Sequence, residues 1–216
     1  MIADDRLDTL PPPWRLALAY APAAARPFWL SFLALDVRLA GVVRGAREPL
    51  LGQMKLAWWR DRFNADPDSW PKGEPLLSSL RAWDSAVGGL VALVDGWEAM
   101  LGEWGDGSGP VEALTQGRVE GVKALAGVLG APGDDGLAAM ARGWAAMDLV
   151  SHLGDPAERA EAAASFGEID WRRYPLPRRM RPLTVLHGLA RRASLGKDAS
   201  SPMALLHAIR LGILGI

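Results

Sequence analysis

The sequence contains no cysteine among its 216 residues. This absence excludes disulfide bonds, thiolate nucleophiles, and zinc or iron–sulfur sites that depend on cysteine ligands. A chain without disulfides suits a reducing compartment, and we therefore expect a cytoplasmic location.

Long apolar runs are also missing, although 50% of the residues are hydrophobic. Charged residues such as Arg26, Asp36, Arg38 and Arg210 interrupt the runs before they reach the roughly 18 to 20 residues that a membrane span needs. The first residues, "MIADDRLDTLPPPW", are acidic and polar where a secretory signal has a basic start and an apolar stretch. We predict a protein without a spanning helix or targeting signal, either soluble or peripheral at a membrane.

A net charge of either sign is nearly absent, since 24 Lys and Arg stand against 25 Asp and Glu. Nucleic acid is therefore not an expected partner. The distribution is uneven, because residues 171–197 contain eight Arg and Lys and no acid. Arginine forks match phosphate oxygens, so Arg172 and Arg173 are candidate ligand-binding residues for a diphosphate or a lipid headgroup. The alternatives are docking on an acidic protein or an anionic membrane, or a solvated basic loop.

Runs of Val, Ile and Thr that alternate with polar residues are nearly missing, whereas Ala, Leu, Met, Arg and Glu dominate the apolar-periodic stretches. This pattern predicts an all-α fold. Clusters of Pro and Gly divide the chain into predicted helices near 13–25, 27–46, 50–64, 76–103, 110–129, 136–153, 156–166, 182–194 and 202–214. The Gly88–Gly89 pair is expected to kink or divide the fourth helix. We predict one helical domain over residues 1–216, with a flexible N-terminus at 1–12.

The ten tryptophans are many for this length. Packing of large rings in the core explains them, and a lining for a long apolar ligand is the alternative. The segment "MKLAWWRDRF", 54–63, places Met54, Trp58 and Asp61 on one helical face with Arg60 outside it. We take Trp58 and Arg60 from this segment as candidate ligand-binding residues.

Signatures of common catalytic sites are missing. No Ser lies in a nucleophile-elbow pattern, and no Gly-rich loop runs into Lys followed by Ser or Thr. The three histidines, His152, His187 and His207, lie on separate predicted helices. For each we expect a hydrogen-bonded structural role on a helix face rather than metal ligation.

The block "LALAYAPAAARPFWLSFLALDVRLAGVVRGAREPLLGQMKLAWWRDRF" resembles the N-terminal part of the squalene/phytoene synthase family, the head-to-head prenyltransferases. Weaker similarity continues through "GRVEGVKALAGVLG", "GWAAMDLVSHLGDPAER" and "RRYPLP". The resemblance implies an isoprenoid-synthase-like helical bundle around a central cavity. It also implies Asp-rich motifs on two helices, whose carboxylates hold Mg²⁺ against the diphosphate of a prenyl substrate.

The chain departs from the family at the first of these motifs. Aligning the helix sets Ala40, Gly41 and Arg44 where the family has acids, and Asp36 falls one turn earlier. A methyl group and a hydrogen cannot ligate a cation, and a guanidinium repels one. Asp36 is therefore predicted to be a lone carboxylate that has lost its acidic partners.

The second motif is also incomplete. Asp155 stands at the first acid, Arg159 replaces the acid four residues later, and Glu158 is a near miss. Helix capping explains the same residues: Gly154 ends one helix, Asp155 caps the next, and Pro156 is its first residue.

Three hypotheses follow. The favoured one is a catalytically degenerate relative of the family that binds a prenyl lipid or serves as an assembly or scaffold factor. The second is an active Mg²⁺-dependent prenyltransferase that condenses farnesyl or geranylgeranyl diphosphate. Its rearranged site draws on the carboxylates Asp36, Asp61, Asp148, Asp155 and Glu158, with Asp36, Asp155 and Glu158 as catalytic candidates and Asp155 and Glu158 as metal ligands. The third is an interaction protein that docks through residues 171–197.

Overall fold

The computed structural model of the chain describes residues 5–101, 109–152, 156–196 and 202–214. All regular secondary structure in these ranges is helical, which confirms the predicted all-α class. None of the helices in these ranges is both long enough and apolar enough to cross a membrane. The arrangement around a central cavity, which the family resemblance implies, stays a prediction.

The α-helices begin close to the predicted positions. They are α1 (Asp5–Thr9), α2 (Pro12–Ala19), α3 (Arg26–Arg44), α4 (Pro49–Phe63), α5 (Pro75–Leu80), α6 (Val91–Ala99), α7 (Gly109–Val128), α8 (Asp135–His152), α9 (Pro156–Ser165), α10 (Arg181–Ser194) and α11 (Pro202–Leu214). Further 3-10 helices span Pro67–Ser69, Arg81–Leu90 and Arg178–Met180. Proline is the first residue of α2, α4, α5, α9 and α11, where its missing N–H would have no partner within the helix.

The predicted helix over 76–103 is divided, but the irregular residue is not one of the glycines. Asp84 has φ of 50°, inside the 3-10 helix between α5 and α6. Gly88 and Gly89 belong to the same 3-10 helix without a positive φ. The division was predicted correctly, and its position was wrong by a few residues.

The N-terminus differs from the prediction as well. Residues 5–9 form α1, and Leu10 is buried in the core, so the predicted flexible segment 1–12 includes packed structure. The predicted helix over 13–25 ends at Ala19, because Pro22 lies in a turn that leads into α3.

One hydrophobic core joins the helices. α8 packs against both α7 and α10, and α7 packs against α6. α3 is buried on several sides, through Trp29, Phe32, Leu33, Leu35 and Leu39. A helix that is apolar around most of its circumference is stable only in such a position, which places α3 inside the domain.

Seven tryptophans are buried in this core, as the packing explanation predicts: Trp14, Trp29, Trp59, Trp70, Trp83, Trp97 and Trp144. Several indole N–H groups have defined acceptors. Trp29 donates to the carbonyl of Arg179 at 2.9 Å, and Trp83 donates to Ser31 Oγ at 2.9 Å. Most of the rings therefore contribute apolar area with their N–H groups paired, whereas Nε1 of Trp144 is buried without a hydrogen-bond partner among the described residues.

α6 and α7 approach each other closely at Gly117. A Cβ there would fall against the carbonyl oxygen of Ala92 and 3.2 Å from the Cα of Leu93. These are backbone atoms, which cannot rotate away as a side chain can. Gly117 is therefore required for the contact between the two helices.

Gly117→Ala is expected to lower the free energy of unfolding by roughly 1–3 kcal/mol, because the added methyl group forces α6 and α7 apart. Gly127→Ala is the matched control on α7, since no atom lies within 4 Å of a Cβ at Gly127. There we expect no loss, or a gain of up to about 1 kcal/mol from better helix propensity. Urea denaturation of both variants measures the difference, and equal effects would contradict the close approach.

Candidate functional site

Asp36 is not a lone carboxylate, which corrects the sequence-based interpretation. It lies in the middle of α3 and is fully buried. Its Oδ2 forms an ion pair of 3.0 Å with Nε of Arg118 on α7. Its Oδ1 accepts a hydrogen bond of 2.6 Å from Nε1 of Trp97 on α6. The partner of Asp36 is thus a cation on another helix rather than an acid on its own.

The same arginine binds a second acid. Nη1 of Arg118 lies 2.8 Å from Oδ2 of Asp148 on α8. The other oxygen of Asp148 accepts a hydrogen bond of 3.0 Å from Nε1 of Trp14 on α2. We call Asp36, Arg118 and Asp148 the buried ion cluster. Each carboxylate oxygen in the cluster lies beside the guanidinium or an indole N–H, although the contact between Asp36 Oδ2 and Arg118 Nε is an ion pair without hydrogen-bond geometry.

Three indole rings surround the guanidinium. The Cζ atom of Arg118 lies 5.6 Å from the ring centroids of Trp14, Trp97 and Trp144. Cations in this position are attracted by the aromatic quadrupole, and this attraction strengthens when water is excluded. The rings therefore add to the ion pairs in stabilising a charge that is almost completely removed from solvent.

Burial and charge oppose each other in the cluster. Burial raises the pKa of Asp36 above its ordinary value, against the opposing effects of Arg118 and the Trp97 hydrogen bond. Burial lowers the pKa of Arg118, but the carboxylates of Asp36 and Asp148 outweigh it and hold that pKa above its ordinary value. Arg118 therefore stays charged and occupies the space between two carboxylates where the active-enzyme hypothesis needs a metal ion.

Arg118 was missed in the sequence, although a signal was present. It shares one helical face with Val111, Leu114, Val122 and Leu125, all of which are buried. A single arginine on an otherwise apolar face indicates a buried cation, and a buried cation requires an acidic partner.

A groove of about 1450 Å³ lies between α1, α3, α4 and the start of α5, and none of Asp36, Arg118 and Asp148 is among its described lining residues. Its walls are mainly apolar, with contributions from Val37, Val42, Met54, Trp58 and Leu76. Its basic side chains include Arg38, Arg44 and Lys55, whereas Glu74 is the acid among its described lining residues. Glu74 is paired with Arg38 at 3.4 Å.

Two of the three positions at which the resemblance predicts acids lie along this groove. Gly41 and Arg44 line it, whereas Ala40 is buried in the core. A Cβ at Gly41 would meet no atom within 4 Å, so the groove is open at that point. The face of α3 that carries Gly41 and Arg44 therefore borders an open groove, and Arg44 contributes a cation to it.

The candidate ligand-binding residues are distributed over different places. Trp58 lines the groove and is 37% exposed. Arg60 instead pairs with Asp95 and Glu98. This pairing ties α4 to α6 and leaves Arg60 outside the residues that line the groove.

The two arginines of the basic segment also separate. Arg172 forms an ion pair of 2.9 Å with Asp170, which also accepts a hydrogen bond of 2.6 Å from the Tyr174 hydroxyl. Arg173 lines a second, smaller pocket together with His187. Of this pair, Arg173 therefore lines a cavity, whereas Arg172 is engaged by Asp170.

The alternative acidic site is brought together only in part. Asp36 and Asp148 meet through Arg118, whereas Asp61 is exposed on α4. Asp155 lies outside the described residues, as does the side chain of Glu158. Among the residues that are described, no three His, Asp or Glu side chains lie together in a way that could hold a metal ion.

One part of the capping interpretation falls on described residues, namely the start of the second helix. α8 ends at His152, and α9 begins at Pro156. Gly154 and Asp155, the proposed helix end and cap, lie outside the described residues. Pro156 is thus the first residue of its helix, as predicted.

The histidines do not all have the predicted hydrogen-bonded role. His152 Nδ1 lies 2.7 Å from the backbone carbonyl of Asp148, in agreement with the prediction. His187 is buried, and its ring nitrogens have no partner at full hydrogen-bond geometry among the described residues, although the backbone of Asp170 acts on the ring as a weak hydrogen-bond acceptor. No protein-family model, curated protein or solved structure matches this chain.

Proposed function

We propose that the chain is a binding protein for an amphiphilic ligand, a prenyl diphosphate or a prenyl lipid with an anionic head, and that it holds this ligand in the groove without catalysing its turnover. The observation that carries the proposal is the combination of apolar walls and basic side chains along one open groove.

The apolar walls suit a hydrocarbon chain. Val37 and Val42 on α3 face the same space as Met54 and Trp58 on α4. Met54 is 63% exposed and Trp58 is 37% exposed, so the Met54 thioether and the Trp58 indole ring both have surface that a ligand can cover. Each buried CH₂ group contributes about 0.8 kcal/mol before the costs of immobilising the ligand. A hydrocarbon chain can therefore supply most of the affinity.

The basic side chains suit the head group. Arg44 and Lys55 line the groove, and neither has an ion-pair partner among the described acids. Arginine binds phosphate oxygens through two parallel hydrogen bonds, and lysine acts as a point charge. In the family, Mg²⁺ held by acids neutralises the diphosphate. In this chain Arg44 takes the place of one such acid and supplies positive charge directly.

The buried ion cluster supports binding over catalysis. Arg118 and two indoles engage the oxygens of Asp36 and Asp148, so these carboxylates are not available to a metal ion. If these carboxylates bound a metal ion instead, Arg118 would stay buried among apolar residues without a counterion, at a large cost in free energy. The active-prenyltransferase alternative would therefore need acids other than this pair.

Calorimetric titration with a non-hydrolysable farnesyl diphosphate analogue, in Mg²⁺ and again with a chelator, tests the proposal. We expect binding that is the same in both conditions. Arg44→Gln is expected to weaken it about tenfold, since a charge-assisted hydrogen bond contributes roughly 1.5–3 kcal/mol. Arg15→Gln is the matched control, because Arg15 is exposed on α2 and lies outside the groove.

The remaining outcomes separate the alternatives. Binding that disappears with the chelator would favour the active Mg²⁺-dependent enzyme. The absence of binding in a folded sample would favour the scaffold or interaction hypothesis. Equal losses in Arg44→Gln and Arg15→Gln would mean that net charge, rather than the groove, governs the interaction.

A further inference from the structure

A second pocket, of about 220 Å³, lies between α10, α11 and the segment that precedes the 3-10 helix at Arg178–Met180. We call it the arginine pocket. Of its eight described lining residues, four are arginines, two are histidines and none is acidic: Arg173, His187, Gly188, Arg191, Arg192, Leu195, His207 and Arg210. None of these residues lines the groove.

Helix geometry brings these side chains together. Gly188, Arg191, Arg192 and Leu195 follow the spacing of one face of α10 and of the residues just after it. A Cβ at Gly188 would lie 3.3 Å from Nε2 of His207 and would collide with Leu211. The glycine therefore lets α11 pack directly on α10 and places His207 and Arg210 beside the arginines of α10.

The positive charges of the pocket are not neutralised by the protein. None of Arg173, Arg191, Arg192 and Arg210 forms an ion pair with an acid in the described ranges. Asp170 is the acid whose charge acts on His187, but its carboxylate is held by Arg172 and Tyr174. Like charges held this close repel one another, so a ligand that brings negative charge is favoured.

Buried polar atoms belong to the residues that line the same pocket. Nε of Arg192 is a donor that is buried without a hydrogen-bond partner among the described residues. The neutral His187 ring has one donor and one acceptor nitrogen, both buried, and the backbone of Asp170 acts on this ring as a weak hydrogen-bond acceptor. Buried polar atoms of this kind are rare in folded proteins. The Trp171 ring packs 5.5 Å from the His187 ring and restricts its orientation. The pocket thus combines unneutralised cations with a buried guanidinium donor, Nε of Arg192, that has no hydrogen-bond partner among the described residues.

From these observations we propose that the arginine pocket binds a phosphate group. Several guanidinium groups around one small cavity match the tetrahedral oxygens and double charge of phosphate better than they match a single carboxylate. The group comes either from a free phosphate or diphosphate in solution or from the head of an anionic lipid. The proposal is independent of the ligand in the groove, because the two cavities share no residue.

Titration of the full chain with inorganic phosphate and with diphosphate, followed by calorimetry at fixed ionic strength, tests the site. Vesicles of phosphatidylcholine with and without phosphatidic acid, followed by co-sedimentation, form the second arm. Binding of the soluble anions assigns a free ligand, and binding only to vesicles that contain phosphatidic acid assigns a lipid head. In either case we expect the binding affinity to fall at least tenfold in Arg192→Gln and in Arg210→Gln.

Arg178→Gln is the matched control. It removes the same charge from the same basic segment, but Arg178 is exposed and does not line the pocket. We expect binding by this variant to stay within twofold of the unmodified chain. The proposal is overturned if the folded protein binds neither the soluble anions nor the acidic vesicles, or if Arg178→Gln loses as much affinity as Arg192→Gln. Arg210→Gln keeps the test decisive if Arg192→Gln fails to fold.

Discussion

Arg118→Met is expected to lower the free energy of unfolding by roughly 3–5 kcal/mol, the range for breaking a buried ion pair from one side. The substitution leaves Asp36 fully buried and Asp148 nearly so, without the guanidinium that lies 3.0 Å and 2.8 Å from their oxygens. Methionine fills much of the volume between Trp14, Trp97 and Trp144, so the loss reports the charge rather than a cavity.

Chemical denaturation at pH 7 measures this loss. Arg142→Met is the matched control, because Arg142 pairs with Glu112 at 2.5 Å while their side chains remain 32% and 43% exposed. Exposed pairs of this kind contribute at most about 1 kcal/mol. If Arg118→Met were no more destabilising than Arg142→Met, the buried ion cluster would not be important for stability.

Two further comparisons separate charge from packing. The triple variant Asp36→Asn, Arg118→Met, Asp148→Asn is expected to recover much of the loss, since no uncompensated charge remains. In Arg118→Met alone, the loss is expected to shrink as the pH falls from 7 to 4. Burial raises the pKa of Asp36, and without Arg118 the carboxyl takes up a proton more readily, which removes the buried negative charge.

Acidification from pH 7 to pH 4 is expected to remove about 3 kcal/mol of stability through His187 alone. Burial, together with the charge of Arg191, lowers the pKa of His187 from its ordinary 6.5 to about 4, against the opposing effect of Asp170. The unfolded chain therefore binds the proton first as the pH falls. The contribution of neutral His187 is complete above pH 6.5 and is lost as the pH falls toward 4, at about 1.4 kcal/mol for each pKa unit.

Comparing the free energy of unfolding of the unmodified chain and of His187→Gln at each pH separates the effect of His187 from that of the carboxylates that titrate in the same range. We expect the pH dependence between 6.5 and 4 to be much weaker in the variant. His152→Gln is the control, because the His152 side chain is 57% exposed, and its pH dependence should match that of the unmodified chain. Identical curves for His187→Gln and His152→Gln would contradict the assignment.

Other charged and titratable groups near His187 also contribute to the pH dependence of stability. Arg191 and Arg192 face it from α10, Arg173 from the preceding segment, and His207 and Arg210 from α11. Burial and the neighbouring arginines also lower the pKa of His207, so a residual dependence of the same sign remains in His187→Gln. If the arginine pocket binds phosphate, saturating phosphate favours protonated His187 in the folded state and weakens the acid destabilisation.

The helices were predictable because the information for them is local. Their apolar period, the prolines at their first residues and the glycine-rich breaks all lie within a few residues of the structure they determine. The exceptions are also instructive. The packing of Leu10 in the common core depends on helices that are distant in the sequence, and local patterns predict neither this packing nor the backbone irregularity at Asp84.

The candidate site was predictable only in its parts. Asp36, Trp58 and Arg173 were each noticed from local sequence, but the partners that define their environments were not. Trp58 faces a groove shared with α3, and Arg173 faces α10 and α11. Such cavities form between helices, so their shape follows from how the helices pack rather than from the composition of any one of them.

The sequence by itself determined the all-α class, most helix boundaries, the absence of cysteine chemistry and the clustering of positive charge in 171–197. Tertiary structure alone decided that Arg118 lies between Asp36 and Asp148, although 82 and 30 residues separate it from them. Helical periodicity reveals which face of a helix is buried, but not which helix it meets. The pairing of charges is therefore decided only when the helices pack, because a buried charge is tolerated only beside its partner.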